Sequence, residues 1–124
     1  MFHHVQISVS DFPRALRFWK SALEPLGYVA QYVDEAAKSA GFGPPGTPRL
    51  WIGPGSSKGP SSKGTVHLAI EAKTEEAVKR FYAAALASGA KDNGPPGPRP
   101  DYGPKYWAAF VIDPDGNNIE AVVT

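Results

Sequence analysis

Two stretches of the chain follow one plan. His67 stands as far beyond His4 as Arg80-Phe81-Tyr82 stands beyond Arg17-Phe18-Trp19, and Gly89 follows Gly27 by nearly the same interval. A register held across a strand, a helix and its cap implies a duplicated unit of roughly 60 residues. In 124 residues there is room for two such units and little else, so the expectation is one domain of two copies sharing a core. The boundaries read as 1–55 for the first copy, a Ser/Gly/Lys connector at 56–64, and 65–124 for the second.

Hydrophobic periodicity fills in each unit. Residues 2–10 alternate, with Val5, Ile7 and Val9 on one face and His4, Gln6 and Ser8 on the other, the period of a half-buried strand. Asp11 offers an N-cap and Pro13 suits a first helical turn. Leu16, Trp19, Leu23 and Leu26 then recur at helical spacing until Gly27. The second copy repeats this with Val66, Leu68 and Ile70 in a strand, Thr74 as cap, and Val78, Phe81, Tyr82 and Leu86 as a buried helical stripe ending at Gly89. Further strands are expected at 28–33, 49–52, 106–112 and 118–123, with 38–42 a weaker one. Asp113-Pro114-Asp115-Gly116-Asn117 reads as a tight hairpin turn. The fold class is therefore α+β, strand-helix-strand-strand-strand twice, with Gly89 to Pro104 left as a turn-rich stretch.

Composition removes several functions. With 13 basic against 12 acidic residues the formal charge is +1, which gives no electrostatic case for nucleic acid or an anionic membrane. No apolar run approaches a membrane span and the start lacks a leader pattern, so a cytoplasmic location is expected. There is no cysteine, hence no disulfide, thiolate nucleophile or thiolate metal site, and a bound metal would need His, Asp or Glu.

The faces of the strands suggest where such a metal would sit. His4 and His67 occupy matching positions, each on the side of its strand away from the apolar residues. Glu120 in the last strand likewise points away from Ile119, Ala121 and Val123. If helices cover the apolar side of a curved sheet, these three project into its concavity as a 2-His-1-carboxylate set, which leaves positions open for substrate. A single strand histidine is more often structural, and the case here rests on the matched pair. Asp113 and Asp115 read as turn residues. His3 reads as structural. Arg49, Trp51, Arg99, Tyr102 and Tyr106 are candidate substrate contacts, Arg to grip a carboxylate, Tyr to donate to an oxyanion and Trp as a pocket wall. The Gly55-Ser56-Ser57-Lys58-Gly59 string matches a nucleophile-elbow pattern, but Pro60 leaves it no strand-to-helix turn.

Taken together, His4-Val5-Gln6-Ile7-Ser8-Val9-Ser10-Asp11, His67 and Asp113-Pro114-Asp115-Gly116-Asn117-Asn118-Ile119-Glu120 resemble the vicinal oxygen chelate superfamily, which includes glyoxalase I, extradiol dioxygenases, fosfomycin-resistance enzymes and bleomycin-resistance proteins. The resemblance spans essentially the whole chain. It implies two tandem βαβββ modules forming a curved sheet around a cleft, commonly in a homodimer. It also implies a divalent metal, Fe, Mn, Ni, Zn or Mg, on His4, His67 and Glu120, with Glu120 also the candidate base. The activity implied is a glyoxalase- or dioxygenase-like reaction on a small substrate with adjacent oxygens; the alternative is a non-catalytic drug- or metabolite-binding protein of the bleomycin-resistance type. The strand at 49–52 offers no carboxylate for the fourth ligand typical of glyoxalase I. Gly103 stands where many glyoxalase-like relatives carry His.

Overall fold

A computed structural model describes residues 1–54 and 66–124. The expected connector at 56–64 and the Gly55–Gly59 string lie outside the described residues. The order of elements is β1 (Val5–Ser8), α1 (Phe12–Leu23), β2 (Val29–Asp34), β3 (Ser39–Gly43), β4 (Leu50–Gly53), β5 (His67–Glu71), α2 (Glu75–Ala87), β6 (Lys91–Pro98), β7 (Trp107–Ile112) and β8 (Asn118–Val123). Each half is βαβββ, and its strands make a four-stranded sheet of the same order, β1-β4-β3-β2 and β5-β8-β7-β6. The first strand of each half pairs parallel with the last, and the remaining neighbours pair antiparallel.

Local signals account for the helices. The Asp11 side chain accepts from the Arg14 amide at 3.1 Å, and Thr74 accepts from Ala77 at 3.0 Å, each satisfying an amide that the first turn leaves free. After α1 the chain makes one 3-10 turn at Glu24–Leu26 and leaves it through Gly27 at φ +80°, a left-handed conformation that glycine adopts without a side-chain clash. The buried face of α1 is Phe12, Ala15, Phe18, Trp19, Ala22 and Leu23. Of the expected stripe, Trp19, Leu23 and Leu26 are buried and Leu16 is half-buried, and the face widens to take in Phe12, Ala15, Phe18 and Ala22. In α2 the buried residues are Val78, Phe81 and Ala85, with Tyr82 and Leu86 at the margin. The two helices pack on each other and on the apolar faces of the sheets, around Phe18, Trp19, Phe42, Phe81, Ile52 and Ile119, all fully buried. Each large side chain so buried contributes about 2–3 kcal/mol of transfer free energy.

One strand went unread in the sequence. β6 carries Gly94-Pro95-Pro96-Gly97-Pro98, yet it pairs with β7. It is the last strand of its sheet, the position where prolines are tolerated, and two register shifts at Asp92/Gly94 and Gly94/Gly97 interrupt the pairing around Pro95 and Pro96.

The hairpin turn fastens the halves together. Asp113 is buried and accepts from the amides of Asp115 at 3.0 Å and Asn117 at 2.7 Å and from the Asn117 side chain at 3.1 Å. Asp115 accepts from the Ser10 amide at 3.1 Å and hydroxyl at 2.7 Å, tying the second half's turn to the end of β1. Among the described residues, no helix is long and apolar enough to cross a membrane.

Candidate functional site

On β8, Ile119 and Ala121 face the core, so Glu120 points to the opposite side of the sheet. The ladder sets its neighbours: Ala69 of β5 on one flank and Phe110 of β7 on the other. His67, two residues before Ala69, lies on that same face, and its Nε2 is 2.9 Å from Glu120 Oε2. Tyr106, just before β7, donates its hydroxyl to Glu120 Oε1 in a short hydrogen bond. The Glu120 side chain is 2% exposed while the His67 ring is 53% exposed, so the carboxylate is approached through the imidazole. That hydrogen bond, with burial, pushes the Tyr106 phenol up to about 12, which keeps it a donor across neutral pH. Tyr102 meets Tyr106 edge-on at 5.4 Å, and Phe110 leans on His67 at 6.2 Å between ring centres.

The donor chemistry fits a divalent ion on one edge. His67 Nε2 and Glu120 Oε2 are in hydrogen-bond contact at 2.9 Å, and an imidazole and a carboxylate are donors that would hold such an ion. The third expected ligand is elsewhere. His4 is exposed on the first sheet, its Nδ1 2.9 Å from Nδ1 of His3. Among the described residues of one chain, no three His, Asp or Glu side chains come close enough to share an ion. His4 lines an apolar cleft of about 380 Å³ together with Leu68, Ala69, Ile70 and Glu71, whereas His67 lies at the start of β5.

The other candidates divide between the sheets. Arg49 donates to the His3 carbonyl at 2.8 Å and so holds the N-terminal segment rather than joining Glu120. Trp51 pairs with Gln6 as Glu120 pairs with Ala69, so the indole occupies in the first module the position the carboxylate occupies in the second. It lies flat over Gly41, where a Cβ would be 2.9 Å from the ring, and tilts against Tyr32 at 5.5 Å. With His3, His4, Gln6, Thr47 and Pro48 these rings line a cleft of about 600 Å³. Arg99 sits over the Phe110 ring at 5.5 Å. Phe110 and Tyr32 were missed as site residues; the pairing of Phe110 with Glu120 was the signal that would have found the former.

The sequence profile of the Glyoxalase/Bleomycin resistance protein/Dioxygenase superfamily matches residues 1–121. The chain belongs to this superfamily, whose members share the vicinal oxygen chelate fold. Among solved structures, the superfamily fold is found in a glyoxalase/bleomycin resistance protein from Albidiferax ferrireducens T118, 29% identical with a TM-score of 0.84 over 98% of both chains. A glyoxalase-related enzyme from Fulvimarina pelagi is 17% identical, with a TM-score of 0.78 over all of this chain and 88% of that one. The fosfomycin resistance protein FosX of Mesorhizobium loti is 17% identical, with a TM-score of 0.69 over all of this chain and 92% of that one. No curated protein matches the chain. Superfamily membership agrees with the α+β fold of paired βαβββ units expected from the repeat.

Proposed function

We propose that this superfamily member is a metal-dependent glyoxalase- or dioxygenase-like enzyme of the cytoplasm that acts on a small substrate with adjacent oxygens, and that it works as a homodimer. The observation that carries the reading is the His67–Glu120 pair, buried on the carboxylate side and held by Tyr106. His4 of a second copy supplies the third donor. A two-fold axis makes contacts reciprocal, so each copy's His4 would meet the other's His67 and Glu120, and two equivalent sites result. A divalent ion held there supplies Lewis acidity toward the substrate oxygens.

The chain's own residues do the remaining work. Tyr106 fixes Glu120 Oε1 through its O–H, so Oε2 is the oxygen that faces His67 and the open side. Glu120 is the base of the proposal: on leaving the ion its Oε2 would take a proton from a carbon next to a substrate carbonyl, while the Tyr106 hydroxyl stays on Oε1. Phe110 leans on the imidazole, and Tyr102 backs the Tyr106 ring.

Mixing two inactive variants tests both the ligands and the dimer. His4→Ala and His67→Ala should each abolish Mn(II) binding in calorimetry; subunit exchange between them should restore one site in each mixed dimer. No recovery in a mixture shown by mass spectrometry to contain mixed dimers would remove the shared site.

A second reading, a binding protein without chemistry, draws on the aromatic cleft of Trp51 and Tyr32. It requires ligand binding that persists in chelator and that Glu120→Gln leaves intact.

A further inference from the structure

Arg99 is set in place by the same proline- and glycine-rich segment that lets β6 pair with β7. Its Nη2 donates to the Pro95 carbonyl at 2.6 Å and its Nη1 to the Pro98 carbonyl at 3.2 Å. Glycines leave the room: a Cβ at Gly94 would stand 3.2 Å from Nη2, and one at Gly97 would stand 3.3 Å from Nη1. Gly94 also has φ +146°, and a Cβ there would press on Phe110 at 3.1 Å. The proline-rich edge strand thus forms a notch in which the guanidinium rests over the Phe110 ring, a cation–π arrangement.

The same ring meets His67, tilted at 6.2 Å between ring centres. Phe110 is directly opposite Glu120 in the β7–β8 ladder. The guanidinium therefore lies one aromatic ring away from the proposed reacting groups, on the same face of the sheet. Only two of its five N–H groups are used by described residues, and no carboxylate of the described residues lies within ion-pair distance of it. A planar cation with free donors, held rigid beside a reactive centre, is matched to a planar anion that takes two of them at once.

We infer that Arg99 anchors a carboxylate of the substrate, so that the adjacent-oxygen compound acted on at this site is a carboxylic acid anion; this rests on the function proposed above. Gly94 and Gly97 are positioning residues for the guanidinium. An arginine serving only to close the proline-rich strand would have no preference among ligands.

The test is a titration of chelator-treated, full-length protein with benzoate and with benzamide, its neutral analogue of the same shape, followed by NMR at Arg99 Nε–H and the His67 ring. Benzoate should shift both signals saturably and bind at least about tenfold more tightly than benzamide. Arg99→Met should lose that preference, Arg99→Lys should recover only part of it because an ammonium lacks the fork, and Gly97→Ala should weaken benzoate with the guanidinium still present. Equal affinity for the two probes, no binding of benzoate, or unchanged benzoate binding in Arg99→Met overturns the inference, as does tighter binding of phenylphosphonate. Should Arg99→Met fail to fold, the benzoate–benzamide comparison in the unaltered protein decides alone. Mn(II) calorimetry on the same samples separates this inference from the metal proposal: metal binding without benzoate preference sinks the carboxylate anchor, and benzoate preference without metal binding sinks the metal.

Discussion

The two modules have the same order of strands and helix and the same sheet order, yet they differ at the position where chemistry would reside. In the second, the residue facing away from the core in the last strand is Glu120, with His67 and Tyr106 on its two oxygens. In the first, the residue at that ladder position is Trp51, resting on Gly41 with Tyr32 beside it. One sheet presents a buried acid and the other an aromatic wall. Because the helix-facing sides are alike, the duplicated core tolerates this divergence: the outward face of a strand alternates with the packed face and varies independently of it. The comparison teaches that fold and function here occupy opposite sides of the same strands.

Substituting equivalent core residues tests the likeness first, and with the largest effect. Phe18 and Phe81 are the same position of the repeat and both are fully buried. Phe18→Ala and Phe81→Ala should each cost about 3–5 kcal/mol in urea unfolding. A large disparity between them would mean that the modules do not share one core equally.

The unlike positions come next. Glu120→Gln should weaken Mn(II) binding by about a hundredfold or more, and Tyr106→Phe by about 10-fold, as loss of an outer partner does. Trp51→Phe should leave metal affinity within about twofold, less than the loss of an outer partner causes. Equal losses from Trp51→Phe and Glu120→Gln would erase the distinction between the two faces.

A smaller effect concerns the turns. Asp115→Ala removes an acceptor shared by the Ser10 amide and hydroxyl and should cost about 1–3 kcal/mol in thermal or urea unfolding. Unchanged stability would show that the second module's turn does not fasten the two halves.

The smallest is a pH effect at Asp113. Burial pushes its carboxyl up, outweighing the hydrogen bonds from Asn117 and Asp115 that pull it down. A carboxyl raised in the folded state adds stability that is fully present below its unfolded value and is lost as pH rises through the folded one. Unfolding from pH 3.5 upward should therefore show the parent protein losing stability relative to Asp113→Asn. Parallel pH profiles for the two would contradict this origin.

Much of the fold was legible because duplication reports twice on the same structure. Asp11 and Thr74 cap, Gly27 and Gly89 end, and Phe18 and Phe81 bury, each pair supporting the other. β6 was not legible, since three prolines forbid a central strand and only the sheet order reveals that this one is at an edge. The buried stripe of α1 was legible at Trp19, Leu23 and Leu26, while leucine spacing left out Phe18 and the small alanines at 15 and 22 that share the face. Side-chain alternation placed His67 and Glu120 on one face, and the parallel β5–β8 register brings them together. The same alternation placed His4 facing outward, but period-two reasoning fixes only the face of a strand. It does not fix the distance between two sheets or the chain to which a partner belongs, which is why a three-donor set read along one sequence becomes a question about two copies.

The most direct measurement is anomalous diffraction from crystals grown with Mn(II). The result expected is one strong peak per chain, within coordination distance of His67 Nε2 and Glu120 Oε2 and of His4 from a second copy. A Mn(II)-saturated crystal with no peak there, or a peak at His67 and Glu120 from which every second-copy His4 is remote, would contradict a site shared between the aromatic module and the acidic one.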